Sequence, residues 1–152
     1  MEEPSFDPTC RFCAVVHGIE PAHIVYADET TTAFLDRRPL FPGHTLVVPN
    51  AHVAVLADLP DSIVFPFIRV VRATSAAMEA TLGADGSFVA MNNRVSQSVP
   101  HIHFHVVPRH RGDGLRGFFW PRQTYESDQQ AAKVAEILRR ALAGPGRPEP
   151  PT

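Results

Sequence analysis

Three histidines, at positions 101, 103 and 105, alternate with apolar residues in the stretch VPHIHFHVVPR. In an extended strand, alternate residues share a face, so the imidazoles point one way while the intervening Ile102, Phe104 and Val106 side chains point into the core. A neutral imidazole is a nucleophile near pH 7 and also a metal ligand. The two outer rings are about 13 Å apart at Cα, so one zinc ion cannot take all three without strain. The spacing therefore predicts a metal at one end of the row and free imidazoles elsewhere.

The two cysteines of the chain, Cys10 and Cys13, have the spacing C-x-x-C. In a chain without a secretion signal, this spacing favours metal or redox chemistry over a structural disulfide. Two thiolates make only half of a zinc site, so the other ligands must come from elsewhere in the chain. Two reduced buried thiols and a redox pair are the alternatives.

The bulk properties describe an ordinary globular chain of 152 residues with a net charge of −2. The charge provides no general attraction to nucleic acid or to a membrane, and no apolar run is long enough to span a bilayer. The acidic N-terminus lacks the apolar segment of a signal peptide, so we expect a cytoplasmic protein. We predict an N-terminal arm over 1–9, one domain over 10–126, a C-terminal helix over 127–143 and a disordered tail over 144–152.

Five segments read as strands: 23–27, 31–35, 44–49, 87–92 and the histidine run. A helix is predicted over roughly 62–82, with Val64, Ile68 and Leu82 among its inner apolar positions. A second helix is predicted over 128–143, with Ser127 as its cap and an inner apolar stripe that includes Val134 and Leu138. Short links between the first three strands require antiparallel pairing, which predicts an α+β fold.

The segment from Gln97 to Arg109 resembles the signature of the histidine triad (HIT) family, and residues 10–53 resemble the family's N-terminal half in order and spacing. The resemblance implies a nucleotide hydrolase or nucleotidyl transferase. It also implies a five-stranded antiparallel sheet with two main helices, and a homodimer in which two sheets join into one of ten strands.

The resemblance also implies site residues. His103 would attack the α-phosphorus, His105 would bind the α-phosphate or assist proton transfer, His44 would complete the active centre, and Ser98 would help the leaving group. A purine nucleotide would contact Asp36, Gln97, Asn93, Phe12, Val15, Ile24 and Phe34. A structural zinc ion, not required for the chemistry, would be held by Cys10, Cys13, His52 and His101.

Two stretches depart from the family pattern. Many relatives have a loop of the form Asn–x–Gly before the Gln-Ser pair, whereas this chain has NNRVSQSVP with Arg94 and no glycine. We expect Arg94 either to cover the surface or to reach a polyphosphate. In residues 109–122, arginines adjoin Phe118, Phe119 and Trp120, a combination that suits base stacking or packing across a dimer.

The expected reaction is cleavage at the α-phosphate of a nucleoside 5′-phosphate derivative through a covalent nucleotidyl-histidine. Candidate substrates are dinucleoside polyphosphates, nucleoside phosphoramidates and adenylylated amines, and phosphate remains open as the second acceptor. The alternative is a nucleotide-binding or interaction protein with incidental turnover. A DNA-repair deadenylase has less support, because no basic module for stable nucleic-acid binding is present.

Overall fold

The computed structural model of the chain describes residues 5–116 and 122–144. The chain divides into two compact units, Met1–Asp113 and Gly114–Thr152. The first unit contains α1 (Arg11–Val16), β1 (Ile24–Ala27), β2 (Thr31–Leu35), β3 (Thr45–Pro49), a 3-10 turn (Leu56–Asp58), α2 (Asp61–Thr81), β4 (Gly86–Ala90) and β5 (Phe104–Arg109). The second unit contains α3 (Asp128–Leu142).

The five strands form one antiparallel sheet in the order β1-β2-β3-β5-β4. The predicted α+β fold with a five-stranded antiparallel sheet is therefore confirmed. β5 lies between β3 and β4, so the strand that contains His105 is an inner strand with a neighbour on each side. β4 is at an edge of the sheet, and the pairing of two such sheets into ten strands stays a prediction.

The sheet separates two apolar layers, because successive residues of a strand face opposite sides. On one side, Ala33, Val47 and Val106 pack with Ile102 and with the buried face of α2. On the other side, Phe34, Leu46 and Val48 pack with Val15 of α1. The helix α2 thus covers one face of the sheet, and the short helix α1 covers part of the other.

The predicted strand over the whole histidine run is wrong in its extent, because β5 begins only at Phe104. The ladder with β3 pairs Val47 with Phe104. The same register would place Ile102 opposite Pro49, which has no N–H to donate. The Ile102 N–H donates instead to the Val53 carbonyl at 2.8 Å. The predicted alternation holds nevertheless: Ile102 and Val106 belong to the core, and Phe104 packs against it.

The helices differ from the sequence-based expectations in two ways. The helix α1 was not predicted, because six residues are too few for a periodic pattern. In α2, Val64 and Ile68 are 41% and 40% exposed, because the sheet covers a narrower stripe than the apolar residues offer, and Leu82, predicted inside the helix, follows its last residue and is 50% exposed. Pro66 lies in the second turn of this helix, and the helix continues through it.

The predicted C-terminal helix is present as α3, and the Ser127 hydroxyl caps it by accepting the Gln130 N–H at 3.0 Å. The apolar stripe of α3 is exposed, Val134 and Leu138 included, which differs from the predicted inner position. No helix within the described residues is long and apolar enough to cross a membrane. The predicted roles of Phe118, Phe119 and Trp120 and the predicted tail after residue 144 fall outside the described residues.

Gly43 gives a test of the turn that leads into β3. Its φ is +101°, and an added Cβ would lie 2.7 Å from Leu82 Cδ1 and 3.3 Å from Pro108 Cγ. Gly83 has φ +65° with open space around it. We expect Gly43→Ala to lower the free energy of unfolding by about 2–3 kcal/mol and the control Gly83→Ala by about 1 kcal/mol. Urea unfolding measures both, and equal losses would contradict the assignment of strain to Gly43.

Candidate functional site

A cleft of about 310 Å³ opens on the α1 side of the sheet. Its apolar lining comes from Phe12 and Val15 of α1 and from Phe34 and Leu46 of the sheet. Its polar lining includes Asp36, Ser98, His103 and His105, and arginines at positions 11, 37 and 38. The structure therefore brings two of the three histidines of the row to the same cleft as most of the predicted nucleotide contacts.

A backbone group sets the proton positions of His44 and His105. The Leu40 N–H donates to His44 Nδ1 at 3.1 Å, so a neutral His44 carries its proton on Nε2. His44 Nε2 lies 2.9 Å from His105 Nδ1 and donates to it. A neutral His105 then carries its own proton on Nε2, which makes this atom a hydrogen-bond donor. The chain Leu40–His44–His105 is called the imidazole relay below.

His103 has the opposite tautomer. Its Nδ1 lies 2.8 Å from the carbonyl oxygen of His101, and this oxygen can only accept, so Nδ1 carries the proton. The lone pair of a neutral His103 is therefore on Nε2. The ring packs edge to face with Phe12 and with His105, each at 5.0 Å between centroids. Bonding and packing together fix which nitrogen can act as a nucleophile.

Burial keeps the imidazoles neutral. Desolvation lowers the pKa of His105 to about 4, with smaller contributions from the neighbouring His103 and His44. Desolvation also lowers the pKa of His103 and of His44, and the Asp36 carboxylate opposes the shift at both. Near neutral pH all three rings are therefore unprotonated beyond their single N–H, as the hydrogen bonds require.

The four predicted metal ligands form one cluster, and the chemistry of this donor set fits zinc. Cys10 Sγ lies 3.4 Å from His101 Nδ1, and Cys13 Sγ lies 3.4 Å from His52 Nδ1 and 3.6 Å from His101 Nδ1. Tetrahedral zinc with ordinary bond lengths separates sulfur and nitrogen ligands by about 3.6 Å. All four ligand atoms lie within 4.8 Å of one another.

The groups behind these ligands also match a metal site. His101 Nε2 donates to the Pro49 carbonyl at 2.8 Å, and His52 Nε2 lies 3.8 Å from an Asp7 carboxylate oxygen. Both rings direct Nδ1 toward the thiols, and the bond to the carbonyl puts the lone pair of a neutral His101 on that atom, which is the arrangement that metal-bound histidines adopt. Burial raises the pKa of Cys13 to about 11, so a thiolate there requires a compensating cation.

A second group, Asp36 with His44 and His105, also has its ligand atoms within 4.8 Å of one another. Its chemistry does not fit a metal ion. The Leu40 N–H occupies His44 Nδ1, so His44 Nε2 carries a proton and has no lone pair to donate. This group acts through hydrogen bonds.

Three predicted nucleotide contacts lie elsewhere in the structure. Gln97 donates to the Ala54 carbonyl at 2.7 Å and accepts from the Arg94 N–H at 2.8 Å. Asn93 accepts the Leu56 N–H at 2.7 Å. Ile24 is 47% exposed on β1 and does not line the cleft. The amides of Gln97 and Asn93 instead hold the loop before Ser98 against the segment after β3.

Arg94 has a backbone conformation that glycine adopts more easily than other residues. Its φ is +65°, in the left-handed region that favours glycine, and Ser96 has φ +59°. Both residues carry a Cβ, so each holds a backbone conformation that costs strain energy.

Sequence reasoning missed several groups at the site. The Leu40 N–H, the Pro49 carbonyl and the His101 carbonyl are backbone atoms, which leave no signal in residue types. The cleft is also lined by Arg11, Glu20 and Arg38. Of these three, only Arg38 could have been expected near the site from the sequence, since it follows Asp36 by two positions in DRRP.

The lowered pKa of His105 predicts acid sensitivity. Between pH 6.5 and pH 4, His105 is protonated in the unfolded state and neutral in the folded state. The free energy of unfolding therefore decreases as the pH falls through this range. We expect His105→Asn to reduce the loss in free energy of unfolding between pH 7 and pH 5 by about 1 kcal/mol, after allowance for partial exposure. Urea unfolding at both pH values measures it. The exposed His110→Asn serves as control, and the same loss in all three proteins would contradict the prediction.

Comparisons with known proteins identify the family of the chain. A model of the HIT domain matches residues 18–112. An uncharacterized HIT-like protein of Methanocaldococcus jannaschii is 45% identical over 107 residues, which cover 69% of this chain and 82% of that protein. An adenylylsulfatase of Arabidopsis thaliana is 29% identical over 149 residues, 93% of this chain and 74% of the relative. An adenosine 5′-monophosphoramidase of Candida albicans is 30% identical over 141 residues, 89% and 92% of the two chains.

Solved structures agree as well. A HIT family protein from Bacillus subtilis matches with a TM-score of 0.80 and 29% identity, over 90% of this chain and 99% of that one. A zinc-bound histidine triad family protein from Mycobacterium smegmatis matches with a TM-score of 0.65 and 38% identity, over 90% and 98%. With the domain model spanning the sheet and its histidine row, the chain belongs to the HIT family.

Proposed function

We propose that the protein is a nucleotide hydrolase or nucleotidyl transferase that acts at the α-phosphate of nucleoside 5′-phosphate derivatives. The observation that carries the proposal is the tautomer of His103, whose Nε2 lone pair lies at a cleft large enough for part of a nucleotide. Two relatives whose names state an activity, an adenylylsulfatase and an adenosine 5′-monophosphoramidase, support the substrate class. We expect the nucleotide to be a purine nucleotide.

The proposed reaction has two displacements. First, His103 Nε2 forms a bond to the α-phosphorus, and the bond to the leaving group breaks with its electron pair on the leaving group. Water then attacks the same phosphorus, the P–N bond breaks, and its electron pair returns to Nε2. The products are the nucleoside monophosphate, which keeps the oxygen and one proton of the water, and the leaving group. The other proton of the water replaces the one that an amine leaving group takes up from solvent, or is released to solvent when sulfate or phosphate leaves.

Other residues at the cleft would position the phosphate and move protons. His105 Nε2–H, fixed by the imidazole relay, is suited to donate to a non-bridging phosphate oxygen. The Ser98 hydroxyl lines the same cleft and is suited to assist the leaving group. Asp36 has one carboxylate oxygen engaged by the Arg38 N–H at 2.9 Å, and the other would accept from a ribose hydroxyl. Phe12, Val15 and Phe34 would contact the base.

We also propose that Cys10, Cys13, His52 and His101 hold a structural zinc ion. Support comes from the ligand spacing, from the second nitrogen of His101 bonded to a backbone carbonyl, and from the zinc-bound relative. Zinc there would fix the relative positions of α1, the segment after β3 and the start of the catalytic strand. The four ligands leave no coordination position for substrate, so the role is structural.

Substitution of the nucleophile tests the reaction. We expect His103→Asn to lower kcat by about a thousandfold or more with adenosine 5′-phosphoramidate, because no other group supplies the attacking lone pair. The wild-type protein, quenched in acid during turnover, should carry a nucleotidyl adduct on the peptide that contains residue 103, detectable by mass spectrometry.

The control for this experiment is His110→Asn, a histidine outside the cleft, which should keep the wild-type rate. Near-normal turnover by His103→Asn would contradict the assignment. Tight AMP binding by wild-type protein with no turnover of phosphoramidate, adenylyl sulfate or diadenosine polyphosphate would favour the alternative, a nucleotide-binding protein.

Removal of a zinc ligand tests the metal site. We expect one zinc per chain by metal analysis of wild-type protein and little in Cys13→Ser, whose melting temperature should fall by more than about 5 °C. A chelator should lower the melting temperature of the wild-type protein and leave that of Cys13→Ser nearly unchanged. Metal-free wild-type protein with an unaltered melting temperature would rule the site out.

A further inference from the structure

Three arginines and one glutamate gather at the cleft. Arg37 lies 3.0 Å from a Glu20 carboxylate oxygen, and Arg11 lies 3.6 Å from the same oxygen. Arg37 also donates to the Pro21 carbonyl at 3.0 Å. One carboxylate and one carbonyl therefore engage the guanidinium groups of Arg11 and Arg37, and these two cations have partners within the protein.

Arg38 differs from its neighbours. Its guanidinium has no carboxylate within ion-pair distance among residues 5–116 and 122–144, although the residue lines the same cleft. Its backbone N–H donates to Asp36 Oδ1 at 2.9 Å, which fixes the main chain at this point. An exposed guanidinium on a fixed main chain, beside a cleft that already contains the proposed reaction centre, is available to a ligand.

Among the described residues that line the cleft, arginines outnumber carboxylates by one. Arg11, Arg37 and Arg38 face Glu20 and Asp36, and burial keeps the imidazoles of the cleft neutral. The reactive phosphate would meet neutral donors at His105 and Ser98. The excess positive charge therefore matches a second anionic group on the same ligand.

We propose that Arg38 is a specificity-determining residue that selects nucleotides with a second anionic group besides the reactive α-phosphate. This inference rests on the proposed function and names the substrate class of the same site. A guanidinium binds phosphate or sulfate with two parallel N–H donors, which suits an oxyanion better than a neutral amine or an alcohol. The second anion has two possible sources: the leaving group, as sulfate or polyphosphate, or a phosphate on the ribose.

The size of the effect follows from the exposure of Arg38. An exposed ion pair is weakened by water and by salt, so the gain is modest, about fivefold in affinity at low ionic strength. Added salt screens exposed charges, so the preference should decrease as the ionic strength rises. A neutral leaving group gains nothing from the arginine.

The first experiment measures equilibrium binding by calorimetry, which does not depend on turnover. The ligands are AMP, ADP and adenosine 3′,5′-bisphosphate, and the proteins are wild type, Arg38→Gln and Arg72→Gln, an exposed arginine on α2 that controls for net charge. We expect Arg38→Gln to weaken binding of one diphosphate ligand about fivefold and AMP less than twofold. If Arg38→Gln loses affinity for ADP, the second anion belongs to the leaving group. If it loses affinity for adenosine 3′,5′-bisphosphate, the second anion is the phosphate on the ribose.

The second experiment measures kcat/KM with adenosine 5′-phosphoramidate and with adenylyl sulfate. We expect Arg38→Gln to lower the value for adenylyl sulfate, chiefly through KM, and to leave the ratio between wild type and variant near one for the phosphoramidate. If Arg38→Gln lowers kcat/KM equally for both substrates, or for neither, the inference about Arg38 is overturned. Turnover of the phosphoramidate by the wild-type protein upholds the proposed function in either case. Absence of both turnover and AMP binding overturns the two together.

Discussion

The hydrogen bond from His103 Nδ1–H to the carbonyl oxygen of His101 is the interaction on which the site depends. It decides which nitrogen of His103 carries the lone pair, and it does so with a backbone atom that can only accept. The same residue that supplies this carbonyl places its own ring between the two thiols. Residue 101 therefore belongs to both sites: its main chain orients the proposed nucleophile, and its side chain joins the proposed metal ligands.

The C-x-x-C pair likewise has more than one role. Cys10 caps α1 through its sulfur, which accepts the Cys13 N–H at 3.4 Å, and the helix then presents Phe12 to the cleft. The Phe12 ring packs edge to face with Phe34, His101 and His103. A helix of six residues is not stable alone, so the cysteine cluster and these ring contacts are what hold the apolar wall of the cleft in place.

Much of this arrangement could be predicted from the sequence, because it depends on residue type and spacing. Strict alternation placed Ile102 and Val106 in the core and put the histidines on the other face, and short links required antiparallel strands. The residue at which β5 begins could not be predicted in the same way, because it depends on which residue of β3 lies opposite. That residue, Pro49, is 52 positions away from His101 in the sequence. The exposure of Val64 and Ile68 was also hidden, since it depends on how much of α2 the sheet covers.

The site residues divide along the same line. The C-x-x-C spacing identified Cys10 and Cys13 as half of a metal site, the resemblance added His52 and His101, and the structure brings the four together. Gln97 and Asn93 were identified by the same resemblance, yet their amides bond to backbone groups of the loop. An amide is equally suited to a phosphate and to a peptide group, so its residue type does not distinguish the two, whereas two thiols and two imidazoles at zinc spacing have few alternative uses.

The imidazole relay starts at a main-chain atom, the N–H of Leu40. Replacing the leucine side chain by any other residue except proline keeps this donor, since proline alone lacks the N–H. The side chain at position 40 therefore does not decide the tautomers of His44 and His105, which follow from the main chain of the loop.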